Sequence, residues 1–433
     1  MFNFNSSDSA FSILKLANFR GVWMAGGLSA VVRWLDMLAI GIFTYQLTGE
    51  AGAVAFTFVI RMMPRLIFGL FVGALIDRFN RKKLWVGSLL FVSLTYLMLG
   101  IAITFYDIQY WQLLSFVFIL AIGWSVEFPN RKAIIADTVP EDLLARAIGI
   151  EWSTDSLAKI PGPLIAGGLI TLIGAGWAYL LGGIIIIVAA GVASRVSLEV
   201  REPTAEGTSS LTQVKDGLRY VSANRLLIGA LGVTIVFNLA FPAYNSLLPV
   251  IGKDILEADA FRVGILGSIE GVGAVIGSLW IAQSSREIHF NQIYYFGTGW
   301  FLLCASAFAF SEIYLASLLA IFGVGFGFAA FATMQTAILI RVAAPEMRGR
   351  VLGVLSFCIG LGPLTAVQVG PLVNAVGPQN ALLIVLLEGA MLLIATACFF
   401  PMIIRKLSPG PVSYTHLRAH ETDSYLVCRL LLE

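Results

Sequence analysis

"GALIDRFNRKK", residues 73–83, sets one acid and four bases within its last seven positions, directly after an apolar run. The chain around it is 58% hydrophobic and only 12% charged. So dense a knot of charge in so apolar a chain reads as a loop between two membrane spans. Mean hydropathy is +0.86 over 433 residues, far from a soluble chain, which is about half apolar. A spanning helix needs roughly 20 mostly apolar residues. Working outward from the knot, such runs fall at 21–47, 51–76, 84–105, 110–128, 147–173 and 177–193. After a polar stretch at 194–225, six more follow at 226–251, 263–282, 293–310, 313–340, 351–376 and 380–404. The expectation is an all-α integral membrane protein of about twelve transmembrane helices.

The bases fix an orientation. Lys and Arg concentrate in the N-terminal arm, the even-to-odd loops and the C-terminal end. Lys253 and Arg262 fall on the other side, and Arg33, Arg61, Arg65 and Lys159 lie within helices. The positive-inside rule then puts both termini in the cytoplasm of a multi-pass, bacterial inner-membrane protein. A net charge of +2 implies no nucleic-acid partner; the expected partners are the lipid bilayer and a small molecule, with the chain a monomer. No cleavable signal peptide is evident at the start. Cys304, Cys358 and Cys398 sit within apolar runs and read as small core residues, not a disulfide framework.

The chain repeats itself. "TVPEDLLARAIGI" (138–150) follows the fourth span and "AAPEMRGRVLGVL" (343–355) the tenth, so that Pro140, Arg146 and Gly149 recur as Pro345, Arg350 and Gly353. Two six-helix halves joined by a polar linker are expected, with boundaries at 1–194, 195–225 and 226–406. The remaining 407–433 is a tail. From about residue 412, "VSYTHLRAHETDSYLVCRLLLE" resembles a translated sequencing adapter, and it is set aside from fold and function reasoning.

Asp77 ends the second helix, where the helix dipole disfavours an acid. It therefore calls for a partner: Arg81 four residues on, or the N-terminus of another helix. Gly73 permits close helix approach. At Gly73, Leu75, Asp77, Arg78, Arg81 and Lys82 the stretch resembles the loop signature of the major facilitator superfamily. Asn80 stands where that family usually has Gly, and Asn also tolerates a left-handed backbone. The resemblance implies the major facilitator fold, two pseudo-symmetric six-helix bundles, with the acid locking the cytoplasmic side in the outward-open state. The C-half counterpart, "GSLWIAQSSREIHF", lacks the acid, so the lock would be one-sided.

"PEMRGRVLGV" and "LTQVKDGLRYVSANRLL" are similar to the macrolide- and siderophore-exporter branch. "AKIPGPLIAGG" (158–168) resembles an exporter signature on helix five, matching at Gly162, Pro163, Gly167 and Gly168, with Ala158 and Ala166 replacing two glycines. A packing seam of small residues explains the same pattern. The resemblance implies a secondary transporter that exports a small amphiphilic or anionic molecule by proton antiport, without a cofactor. A lysolipid flippase-like carrier or a metabolite importer of the same fold is the alternative, and a non-transporting sensor a weaker one. An enzyme fails on inventory: outside the tail only His289 remains, and no metal cluster or nucleophile motif appears.

Charges at bilayer depth cost several kcal/mol, so they mark the candidate pathway. Arg33 and Asp36 share a face of helix one, Arg61 and Arg65 a face of helix two. Glu151, Asp155 and Lys159 form a stripe on helix five. Arg33–Asp36 and Asp155–Lys159 read as pairs within one helix, and Asp36 and Glu151 as counter-ions for Arg61 and Arg65. Asp36, Glu151 and Asp155 are the proton-carrier candidates, with Glu270 next in the C-half; Glu270 and Glu388 stand alone in sequence, Glu388 as peripheral. Glu127 and Arg131 read as interfacial, where snorkelling suffices. Trp34, Trp152, Phe237, Phe241 and Tyr244 are candidates for an apolar pocket wall.

Asp77→Asn is expected to insert normally but to cycle poorly. An exposed pair is worth about 1 kcal/mol or less and a helix N-terminus up to ~2 kcal/mol. A shift of ~1.4 kcal/mol changes a two-state ratio tenfold. Labelling of cavity cysteines checks it; unchanged accessibility would reduce the stretch to a topology anchor.

Overall fold

The computed structural model describes residues 10–140, 143–197, 217–284, 289–344 and 347–406; the adapter-like tail and most of the 195–225 linker lie outside that set. Fourteen α-helices carry the described chain: α1 (Ala17–Thr48), α2 (Ala51–Arg78), α3 (Arg81–Phe105), α4 (Tyr110–Thr138), α5 (Leu144–Ala158), α6 (Pro161–Ile173), α7 (Ala175–Ser194), α8 (Arg225–Asp254), α9 (Ala260–Ser284), α10 (Phe290–Phe310), α11 (Tyr314–Val342), α12 (Arg348–Ile359), α13 (Gly362–Val376) and α14 (Pro378–Phe399). No strand occurs among the described residues. Lipid offers no partner for a free N–H or C=O, so a spanning chain must bond internally, and helices do so.

Among the described residues, eleven spans are long and apolar enough to cross a bilayer, α5 and α6 counting as one, Ala147–Ile173. The remaining crossing is α12 and α13 placed end to end. Both broken spans break for the same reason. Pro161 opens α6 and a proline follows Gly362 in the first turn of α13. Proline lacks the N–H that would continue the ladder and clashes with the preceding turn.

The halves repeat in packing as well as in sequence. α3 packs along α7 and α1 along α7; correspondingly, α10 packs on α14 and α8 on α14. α2 meets α4 as α9 meets α11, and α1 meets α6 as α8 meets α13. Outward faces stay apolar: Leu94, Met98 and Ile101 on α3 are exposed, as are Ile184, Ile187 and Val188 on α7. In water such stripes would be unfavourable; here they face acyl chains.

Small residues set the closest crossings. A Cβ on Gly100 of α3 would lie 2.9 Å from the backbone nitrogen of Leu180 on α7. On the helix-five motif, a Cβ at Gly162 would lie 2.9 Å from the Leu35 nitrogen of α1, and one at Gly167 3.0 Å from Gly264 Cα of α9. Two of the motif's glycines are therefore seams, one within a half and one between halves. Gly168 meets only Phe261, at 3.9 Å.

Gly49 turns the chain after α1 with φ of 69° and donates its N–H to the Tyr45 carbonyl at 2.9 Å. At this end the halves are shut. Tyr45 donates to Asp254, and Lys253 sits 4.8 Å over the Tyr45 ring. A Cβ on Gly41 would lie 2.9 Å from Pro249, and Gly52 faces Gly370. Farther in, Gly264 and Gly267 press on Pro163. At the opposite end the repeat glycines Gly149 and Gly353 have nothing within 4 Å of where a Cβ would be, and Trp152 and Phe357 are exposed.

The opening loop is partly revised. Asn80 has φ of −59° and ψ of 112°, not a left-handed backbone. It is the N-cap of α3, accepting from the Lys83 N–H at 3.0 Å, so capping chemistry is what Asn supplies at this position. Arg81 pairs with Asp137 of α4 at 2.7 Å, and its carbonyl accepts from Asn130. Gly73, Asp77 and Arg78 lie in the last turns of α2, and their side chains are outside the described set. Gly100→Val is expected to cost about 1–3 kcal/mol by overpacking, read as a lowered unfolding temperature of the detergent-solubilised protein; an unshifted melt would show that α3 and α7 part freely.

Candidate functional site

Four helices of the N-terminal half bring charge to one level of the bundle. α1 supplies Arg33 and Asp36, α2 supplies Arg61 and Arg65, α4 supplies Glu127, Arg131 and Lys132, and α5 supplies Glu151 and Asp155. Buried charges persist only when paired and hydrogen-bonded, and here the pairs run between helices. Asp36, 1% exposed, accepts from Arg61. Arg33 pairs with Asp155 and lies 5.9 Å from the Trp124 ring and 5.5 Å from Phe128. Arg131 bridges two acids, bonding Glu127 Oε1 through Nε at 2.8 Å and Glu151 through Nη1. Glu127 also accepts from Trp85 Nε1 at 3.3 Å. Lys132 pairs with Glu151 and sits 4.4 Å over the Trp152 ring.

Lys159 occupies the break between α5 and α6. Its ammonium pairs with Glu270 of α9, in the other half, and Tyr244 of α8 donates to the second carboxylate oxygen at 3.3 Å. Three rings surround the ammonium: Phe328 at 3.8 Å, Trp34 at 4.5 Å and Phe241 at 5.2 Å. Such faces stabilise a desolvated cation by a further increment. Behind Phe241 lies a packed aromatic group, with Phe237 stacked 3.7 Å from Phe331 and 4.6 Å from Phe301.

Several sequence-based pairings are corrected. Arg33 and Asp36 do not pair with each other: three residues apart on a helix, they point about 60° apart, one toward α5 and the other toward α2. Asp155 and Lys159 do not pair either, because the break at Lys159 turns the lysine to α9. Glu151 serves Arg131 and Lys132, leaving Arg61 to Asp36. Glu270 is paired, and Glu388 accepts from Gln368 at 2.8 Å. Glu127 and Arg131 are not interfacial. They are 0% and 1% exposed, because α4 runs on to Thr138, ten residues past the apolar run, and the bundle encloses them. Phe237 and Tyr244 are buried core rather than open wall. Lys132 escaped notice because it looked like one more positive-inside base; its position one residue beyond Arg131 was the available signal.

Arg65 differs from its neighbours. It is exposed, has no ion pair among the described residues, and lies within electrostatic range of Arg33 and Arg61. The layer holds five cations against four carboxylates, and Arg65 is the surplus. Arg33 Nη1 and Arg131 Nη2 also make no hydrogen bond within the protein. The arrangement can hold an anionic or polar group while the rest of the layer stays neutral. No group of His, Cys, Asp and Glu suited to a metal occurs among the described residues.

Breaking one partner of a buried pair costs about 3–5 kcal/mol, whereas replacing both by apolar groups is often neutral. Arg33→Met and Asp155→Leu should therefore each lower the melting temperature of the purified protein, and the double variant should recover most of the loss. Additive losses would show that the two side chains are independent.

Comparison with known proteins agrees with this architecture. The family model described as a transmembrane secretion effector matches residues 8–422. Macrolide efflux protein A of Streptococcus pyogenes is 23% identical over 403 residues, covering 90% of this chain and 97% of that protein. A multi-drug resistance efflux pump PmrA homolog of Lactococcus lactis is 24% identical over 319 residues, covering 72% and 76%. A bacterial homolog of the human lysosomal transporter Spinster, solved inward-facing and unoccupied, superposes with a TM-score of 0.67 at 14% identity, covering 94% of this chain and 100% of that one.

Proposed function

Because the chain belongs to the transmembrane secretion effector family of the major facilitator superfamily, we propose that this secondary transporter exports a small amphiphilic molecule bearing an anionic group. The observation that carries the reading is Arg65, an exposed cation beside two paired arginines with no carboxylate of its own. A substrate anion would neutralise it through a charge-assisted contact. The efflux named for the relatives supports the outward direction.

Transport follows by alternating access. The positive-inside bias makes the shut Gly49 end the outer one and the opposite end cytoplasmic, so this conformation faces inward. Both termini and the 195–225 linker then lie in the cytoplasm, between halves at 1–194 and 226–406. Substrate enters from the cytoplasmic side and meets Arg65. The cycle completes when the outer contacts part and the Asp77 loop closes the inner side. Proton antiport supplies the driving force: a buried carboxylate takes up a proton outside and yields it inside, with no cofactor. The chain works as a monomer in the cytoplasmic membrane.

Gradient-driven efflux from proteoliposomes tests the reading, with a fluorescent amphiphilic carboxylate and its neutral amide compared side by side. Arg65→Gln is expected to raise KM for the carboxylate about tenfold, the ~1.4 kcal/mol of one charge-assisted contact, and to leave the amide unchanged. Equal loss for both probes would remove Arg65 from recognition. Wild-type efflux that ignores the pH gradient would sink proton coupling.

A further inference from the structure

Among the described residues, Lys159–Glu270 is the one ion pair that joins the two halves. It lies where α5 breaks into α6, at the inner end of the seam formed by Pro163, Gly167, Gly264, Gly267 and Gly271. A Cβ on Gly271 would lie 2.8 Å from the Lys159 carbonyl carbon, so the backbones touch beside the charges. On the Gly49 side of the pair is a small, half-enclosed recess. Trp34, Met37, Leu38, Pro163, Asn245 and Leu248 line it, with Lys159 and Glu270 at its base. The Gly41–Pro249 contact closes it one turn farther out along α1. Trp34 Nε1 is buried there without a hydrogen-bond partner.

We propose that Lys159–Glu270 is the latch that holds the halves shut at the Gly49 end, and that Glu270 takes up the proton that releases it. The proposal rests on the transport reading above and assigns the coupling carboxylate within it. The groups around Glu270 are few. The α5–α6 break presents Lys159, α8 presents Tyr244, α1 presents Trp34, and α11 presents Phe328 and the backbone of Gly325. Lys159 is thus the one charge facing the carboxylate. With Glu270 ionised, the pair is neutral and α9 stays against α5 and α6. Protonation converts the carboxylate to the acid and leaves the Lys159 ammonium without a counter-charge, enclosed by three rings. Parting of α6 from α9 carries that ammonium to water. When the seam closes again, Lys159 favours ionised Glu270, and the proton leaves to the opposite, cytoplasmic side. One proton enters and one leaves, and no other reactant is needed.

Glu50 and Glu257 are exposed at the Gly49 end, one on each half, and serve as spin-label sites once the native cysteines are replaced by alanine. Distances are measured by pulsed electron paramagnetic resonance in lipid nanodiscs, without substrate, from about pH 8 to about pH 4, a range that takes in the ordinary glutamate and imidazole values. Wild type should show a short distance at the higher pH and a growing long component at the lower. Glu270→Gln should raise the ratio of long to short at least tenfold at the higher pH and abolish the pH response. The charge swap Lys159→Glu with Glu270→Lys should restore the short distance. Glu388→Gln, whose partner Gln368 lies in the same half, should leave both distance and response as in wild type. A wild type indifferent to pH overturns the protonation step, and a Glu270→Gln protein with wild-type distances and response overturns the latch. Should Glu270→Gln fail to fold, the wild-type titration and the charge swap decide. A latch that responds while no probe is exported would fail the transport reading alone; efflux by Glu270→Gln with wild-type gradient dependence would fail the latch alone.

Discussion

Neutralising charge away from water is the constraint on which this structure depends. Apart from Arg65, each cation of the charged layer has drawn a carboxylate from a different helix: Arg61 to Asp36, Arg33 to Asp155, Arg131 and Lys132 to Glu151. Those pairs tie α1 to α2 and α5, and α4 to α5, so the N-terminal half is cross-linked electrostatically at one level. Van der Waals packing of small residues does the corresponding work elsewhere, as at Gly100 and Gly162. The two devices differ in what they permit. A glycine seam slides or parts at modest cost, whereas a buried ion pair resists separation until one partner is neutralised.

That difference explains how the halves are joined. Within the N-terminal half the pairs are several and interlocked, which suits a body that moves as a unit. Between the halves, glycine and proline contacts make up most of the seam, and among the described residues one ion pair stands at its inner end. An interface of this kind closes tightly around very few charges. A Cβ on Gly264 or Gly271 would lie 2.8 Å from backbone atoms of the other half, so close a fit that the seam is either shut or open.

Much of this was legible in the sequence, and the limits have physical causes. Hydropathy and the 138–150 and 343–355 repeat give the number of spans and the two halves, because lipid imposes a length and a polarity on each segment. The identity of the buried charges is equally plain, since Arg33, Asp36, Arg61 and Asp155 sit deep in apolar runs. Their partners are not, because helical spacing reports only neighbours on the same helix, and every pair but Glu127–Arg131 is made across helices or halves. Depth is the other weak point. The fourth apolar run stops at Phe128, but α4 continues to Thr138, so residues that read as interfacial are enclosed. Pro161 signalled the break in the fifth span without revealing that the break would aim Lys159 at α9.

The two halves share a backbone plan but not a chemistry, and the asymmetry suits the cargo proposed above. The N-terminal wall carries the interlocked charges and the surplus Arg65; the C-terminal wall offers Phe237, Phe301 and Phe331 packed behind Phe241 and Phe328. An ion grips at short range and with direction, while an aromatic surface accepts many shapes through area alone. A cargo with one charged group and a variable apolar body is served by placing the first kind of wall opposite the second. Lys159 stands where the two meet, charged like one half and enclosed in rings like the other. A cation so placed senses the state of both walls, and closing the seam around it requires a carboxylate from the far side.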